Sequence, residues 1–379
     1  MKCIIAADSF KGSGSSLAVC SDIRDGMNRV YPDAQYEIIP VADGGEGTVD
    51  AVITAGEGTR QTLTVTGPLA EPVEAFWGLL PGAKAVIEMA SASGLPLVPG
   101  DKKDPMKTTT YGTGELIRAA LDAGSREILI GVGGSATNDC GVGMAQALGG
   151  KFLDEHGKEI GFGGGELSKL AHIDLSGLDE RIREAHISVA CDVTNPLCGP
   201  DGASAVYGPQ KGADAQMVEV LDANLLHCSK VIERDLGIPI ADIPGSGAAG
   251  GLGGGLVGFL GAELVGGIDA VLTLLEFDKM LEGVDLVITG EGKLDHQTAF
   301  GKVPAGVAAW AKKTAGIPVV AIVGDIGEGF EAVYEIGIDV VISTVNKAMP
   351  LEEAMQRSSE LLVETGERVA RLLRIGASL

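Results

Sequence analysis

Short apolar runs alternate with amphipathic stretches at both ends of the chain. Cys3–Ala7 and Glu37–Val41 read as strands, each bounded by polar turn residues. Between them, Ser15 to Val30 carries apolar residues at helical spacing, with Ser15 or Ser16 placed to cap the helix. Towards the other end, Leu286–Thr289, Val319–Val323 and Val340–Thr344 are strand-like, and helical patterns cover Val303–Thr314 and Leu351–Ile375. This alternation predicts an α/β fold with a mostly parallel sheet covered by helices. Ligands of such sheets sit beyond the carboxyl ends of the strands.

The middle of the chain follows a different rhythm. Gln61–Thr66 and Val73–Leu79 predict two strands joined at Gly67-Pro68, and Val86–Met89 adds another. Asp101 to Thr110 reads as a loop, Gly114–Ala123 and Gly141–Gly149 as helices, and Glu127–Ile130 and Ile187–Cys191 as strands. We therefore expect a discontinuous parallel-sheet domain over residues 1–62 and 270–379, with a second α/β domain inserted over 63–269. At 379 residues and 45% hydrophobic composition, two domains are the natural division.

One uncharged stretch, Ile243 to Ala262, could pass for a membrane span. Its glycine content leaves too little apolar bulk, so a close-packed buried helix with its entry loop is expected. The acidic residue Asp8 arrives too early for the core of a signal peptide. Six cysteines at irregular spacing, with no C-x-x-C pair and only five histidines, read as reduced thiols of a cytoplasmic protein. The formal net charge of −23 argues against nucleic-acid or anionic-membrane partners. An anionic small molecule would then need local cations, and Lys11, Lys211, Lys293 and Lys302 all lie in glycine- or turn-rich segments. The sequence is compatible with a monomer or a homodimer.

Candidate chemistry gathers in glycine clusters interrupted by acids, amides and lysines. Asp8-Ser9-Phe10-Lys11 follows the first strand and offers an acid, a hydroxyl and a lysine. Asp43-Gly44-Gly45-Glu46-Gly47-Thr48 follows the second. Its two carboxylates suit Mg²⁺, an alcohol proton or a sugar hydroxyl, although Glu46 or Thr48 could simply cap a helix. Gly133-Gly134-Ser135 presents consecutive amides, followed by Thr137, Asn138 and Asp139, and suits a phosphate or a carboxylate. It is neither a Walker A loop nor a dinucleotide-binding fingerprint. Asp192 and Asn195 follow another strand. Cys198 beside them has no nearby histidine and reads as a packed thiol. Finally, Glu291, Lys293 and Asp295 lie in a polar loop ahead of Lys302 and Pro304, with Glu291 or Asp295 suited to Mg²⁺ and Lys302 to phosphate.

Taken together, these motifs resemble the type 1 glycerate kinase family over nearly the whole length. The resemblance is carried by Asp8-Ser9-Phe10-Lys11-Gly12, Pro40 to Thr48, Gly133 to Asp139, Cys191 to Leu197, Gly208-Pro209-Gln210-Lys211-Gly212, Pro244 to Gly251 and Thr289 to Asp295. Cys140 stands where that family commonly has glycine. The resemblance implies a Rossmann-like domain interrupted by a distinctive second α/β domain, with the active site in the cleft. It further implies transfer of the γ-phosphoryl group of ATP, with Mg²⁺, to a hydroxyl of D-glycerate, most often the 2-hydroxyl. Asp43 or Asp192 would orient the hydroxyl and take its proton, with Lys11 beside the transferring group. Asp8, Ser9, Gly44, Gly45, Glu46, Gly133, Gly134, Ser135, Asn138, Asn195, Lys211, Lys293 and Lys302 would contact substrates or phosphates, and Glu291 and Asp295 the metal. A kinase for another small hydroxy acid or polyol, and a nucleotide-binding regulator without turnover, are the competing expectations.

Overall fold

A computed structural model of the chain describes residues 1–296, 298 and 301–377. The chain divides into two compact units: Met1–Asp43, Asp50–Glu57 and Gly267–Leu379 form the first, and Gly44–Val49 with Gly58–Gly266 the second.

The expected parallel sheet forms the centre of the first unit. Its strands, edge to edge, are Val340–Ser343, Val319–Ile326, Leu286–Leu294, Lys2–Ala7 and Gln35–Ile38. Every adjacent pair in this sheet is parallel. The three inner strands are apolar and almost wholly buried at Cys3–Ala7, Leu286–Ile288 and Val319–Val323, as a sheet covered on both faces requires. The second strand ends earlier than its apolar pattern predicts. Ile39 and Val41 still donate to Ile5 and Ala7, but Pro40 has no N–H and interrupts the ladder. The helix Ser16–Asn28 is capped by the Ser15 side chain, which accepts from the Ala18 amide. The expected helix over Leu351–Ile375 is two helices, Leu351–Gln356 and Ser358–Gly376, separated where Arg357 steps to φ −99° and ψ 12°.

The second unit has a mixed six-stranded sheet in the order Glu263–Val265, His186–Ala190, Glu127–Gly131, Lys84–Glu88, Pro72–Leu80 and Thr59–Thr66. The first four strands are parallel, and the last two form the hairpin predicted around Gly67-Pro68. The glycine-rich stretch is the buried helix Ala248–Leu260. Its entry takes left-handed φ values of 54°, 71° and 88° at Ala249, Gly250 and Gly251, so regular helix begins only after Gly251. Among the described residues, no helix is long and apolar enough to cross a membrane.

Candidate active site

In the first unit, the carboxyl ends of the parallel strands carry the polar loops. Asp8 follows Lys2–Ala7 directly, and its amide still pairs with the Gly290 carbonyl at 2.9 Å. Ser16, at the start of the next helix, donates to the Ala7 carbonyl and accepts from the Val41 amide at 3.0 Å. One buried hydroxyl therefore ties the end of the first strand to the segment that leads into Asp43.

The strand expected to end at Thr289 runs on to Leu294, so Glu291 and Lys293, expected in a loop, lie in the strand Leu286–Leu294 and pair in register with Val323 and Asp325. This strand end and the loops border a cavity of about 990 Å³. Asp8, Ser9, Lys11, Asp43, Glu291, Lys293 and Lys302, seven of the residues expected from sequence, line it. Asp295 is not on the lining, but its charge reaches Glu291. Thr298 ties the Glu291 carboxylate to the backbone at residue 295: its hydroxyl donates to Glu291 Oε1 at 2.5 Å and accepts from the Asp295 backbone amide at 3.2 Å. Burial pushes the Asp8 carboxyl up to about 6, with the Asp43 charge adding and Ser9 and Lys11 opposing. Burial likewise pushes Glu291 up to about 7, against the pull of Thr298 and Lys302, with Asp8 and Asp295 adding.

Apolar side chains share the lining. Ile326, Val345, Met349, Leu351 and Met355 are among them, beside the polar Asp325, Ser343, Thr344 and Ser358, and Leu351 is 73% exposed. Sequence reasoning missed these residues. Gly324-Asp325 could be placed at a strand end, but apolar lining residues from the Val345–Met355 connection have no local signature distinct from core residues.

Among the described residues, no three histidines, cysteines or acids converge closely enough to hold a metal ion by themselves. Asp8, Asp43 and Glu291 nonetheless share one cavity, and charge repulsion links Asp43 to Asp8 and Asp8 to Glu291. That hard-oxygen set fits Mg²⁺, which takes one or two carboxylates and fills its octahedron with water and phosphate oxygens.

The second unit gathers the other expected residues. Gly44 sits at φ +90°, against Ala190 at the end of the strand His186–Ala190, and the Gly44 carbonyl abuts the α-carbon of Gly131. Gly45 approaches Gly133 in the same way. Glu46 is exposed, while Thr48 is buried and its hydroxyl donates to the Gly45 carbonyl at 2.7 Å. The helix start at Val49 instead finds its acceptor in Glu88, at 2.8 Å. Glu88 was not anticipated, since a lone acid ending an apolar strand carries no capping pattern in sequence.

Lys211 is fully buried. Its ammonium group donates to Ser135 Oγ and to the Thr137 carbonyl, both at 2.7 Å. Burial lowers its pKa to about 7, opposed by the charge of Asp139. Asn138 is buried and accepts from Ser204 at 3.3 Å. Asp139 accepts from the Thr110 amide and hydroxyl and from the amides of Gly141 and Gly143, so it fastens the start of the helix Val142–Ala147. Asn195 spends both ends of its amide locally, on Asp201 and Tyr207. Asp192 stands exposed just beyond the strand His186–Ala190.

A family model described as the glycerate kinase family matches residues 3–374. The chain belongs to the glycerate kinase family. It is accordingly an enzyme, a kinase. It is 53% identical to the glycerate kinase of Bacillus subtilis (strain 168), across 100% of this chain and 99% of that relative. It is 50% identical to the glycerate 2-kinase of Escherichia coli (strain K12), across 99% of both. A crystal structure from Salmonella typhimurium LT2, described as glycerate kinase 2, is similar over the full length of both chains, with a TM-score of 0.91 and 49% identity.

Proposed function

We propose that this glycerate kinase family member transfers the γ-phosphoryl group of ATP to the 2-hydroxyl of D-glycerate, giving 2-phospho-D-glycerate and ADP in the cytoplasm. The observation that carries the reading is the cavity of the first unit. Acids and lysines share its lining with the apolar side chains of Ile326, Val345, Met349, Leu351 and Met355, at the carboxyl ends of a parallel sheet. A nucleotide needs both parts: a place for its base and cations for its phosphates.

In this reading Lys11, Lys293 and Lys302 neutralise phosphate oxygens, which offsets the acidic net charge of the chain. Asp8 and Glu291 would hold Mg²⁺, with the nearby Asp295 charge acting on Glu291 and the Thr298 hydroxyl orienting it. When bound with the nucleotide, Mg²⁺ draws off negative charge from the phosphates. Asp43, in the same lining, orients the attacking hydroxyl and takes its proton. Asp192 is the alternative for that role, favoured by its place at a strand end in the second unit. The amides and hydroxyl of Gly133, Gly134 and Ser135 receive the acceptor. The E. coli relative's description as a 2-kinase supports the choice of hydroxyl.

ADP release measured with D-glycerate, L-glycerate and glycerol tests the reading, together with NMR assignment of the phosphorylated oxygen. We expect turnover with D-glycerate, phosphate on C2, and loss of turnover in EDTA. Turnover with glycerol alone would replace this function with polyol phosphorylation, and ATP binding without any acceptor-dependent turnover would replace it with a regulatory role. Asp43→Asn and Asp192→Asn divide the proton-transfer role: the true base loses at least about a hundredfold in kcat.

A further inference from the structure

We propose that Lys211 is a positioning residue that fixes the Ser135 hydroxyl as a hydrogen-bond donor for the carboxylate of the acceptor. The inference rests on the function proposed above and names the anion-reading element of that site.

A protonated lysine carries three donors and no acceptor, so Ser135 Oγ must accept from Lys211. The Ser135 proton is then left for another partner, and Ser135 Oγ has no other hydrogen bond among the described residues. The second donor of Lys211 is held by the Thr137 carbonyl at 2.7 Å, which locks the ammonium group in place. Lys211 is 1% exposed and Ser135 8%, so the lysine stands behind the hydroxyl rather than in contact with solvent. A ligand would meet the hydroxyl, not the lysine.

The surroundings point to an anion. The amides of Gly133, Gly134 and Ser135 pair with no acceptor among the described residues. Asn138 Nδ2 and Thr137 Oγ1 are buried and also without a hydrogen-bond partner among them. A run of amide donors with a donor-only hydroxyl and a cation behind it fits a carboxylate or a phosphate oxygen. The charged group facing Lys211 is Asp139, whose carboxylate is already engaged by Thr110, Gly141 and Gly143. With its nearest acid so occupied, the buried cation lacks a dedicated counter-ion, and an anion on Ser135 would supply one. Anion binding then favours the charged form of Lys211, so the site holds its ligand less tightly once the lysine loses its proton.

The test is steady-state kinetics of the native chain, Lys211→Met, Ser135→Ala and Ser135→Thr at pH 6.5 and 8.5, with KM determined separately for D-glycerate and ATP. We expect KM for D-glycerate to rise about tenfold or more in Lys211→Met and Ser135→Ala, with KM for ATP unchanged, and Ser135→Thr to keep near-native affinity. In the native chain KM for D-glycerate rises from pH 6.5 to 8.5, and Lys211→Met abolishes that rise. A KM for D-glycerate unchanged in both variants overturns the proposal, as does a loss confined to kcat. A rise in KM for ATP alone also overturns it, because the anion would then be a nucleotide phosphate. If Lys211→Met fails to fold, the contrast between Ser135→Ala and Ser135→Thr decides. Failure of the underlying function is separately visible: the native chain itself would release no ADP on addition of D-glycerate.

Discussion

Gly44 packs so closely on Ala190 that a β-carbon on Gly44 would lie 2.4 Å from the Ala190 methyl, and its φ of +90° is one that residues with a β-carbon rarely adopt. The contact seats the turn that follows Asp43 on the end of the strand His186–Ala190. Gly44→Ala should cost about 1–3 kcal/mol in urea unfolding, from strained φ together with overpacking. Turnover should fall with it, because Asp43 is the adjoining residue. Ala190→Gly in the same chain should recover only the packing part. Native stability in Gly44→Ala would show that the turn relaxes freely.

Ser16 makes a second such tie, holding Ala7 and Val41 through one hydroxyl. Ser16→Ala leaves a buried amide and a buried carbonyl without that partner, a loss of about 1–3 kcal/mol. Since the two segments it joins lead directly to Asp8 and Asp43, kcat should drop as well. Thermal unfolding and ADP release on the same preparation check both. A stable variant with full activity would mean that the loops are held elsewhere.

The acids of the first unit should make the empty protein pH-sensitive. Glu291 titrates near 7 when folded, against 4.5 for an ordinary glutamate. Between those values the folded chain keeps a proton that the unfolded chain has lost, so stability falls as pH rises through the window and the penalty is complete above it. Glu291→Gln should therefore be more stable than the native chain by about 1–3 kcal/mol at pH 8 in EDTA, and no more stable at pH 4. It should also be inactive. Equal stability of the two proteins at pH 8 would show that burial does not penalise the charged Glu291 carboxylate.

Much of this was legible in the chain. The alternation of Cys3–Ala7, Leu286–Thr289 and Val319–Val323 with amphipathic segments is enough for a parallel sheet, because strands buried on both faces must be apolar throughout. Asp8, Lys11, Asp43, Glu291, Lys293 and Lys302 could be picked out because polar residues at the carboxyl ends of such strands have few structural duties. These six line one cavity, whereas Ser135 and Asp192, expected to share it, are not on its lining. The apolar lining around Leu351 and Met355 was hidden, since an apolar residue facing a ligand looks the same in sequence as one facing the core. Lys211 was picked out from its own loop, but its partnership with Ser135 spans 76 residues and leaves no trace in either local pattern. Asn195, a polar residue beyond a strand, makes local bonds to Asp201 and Tyr207 that its sequence context does not announce.

If the cavity of the first unit holds the triphosphate, its lysines must set nucleotide affinity. Calorimetric titration of Mg·ATP into the native chain, Lys11→Met, Lys302→Met and Ser135→Ala measures this. We predict that each lysine variant loses about tenfold or more in affinity while Ser135→Ala binds nucleotide like the native chain. Native affinity in both lysine variants would contradict the account.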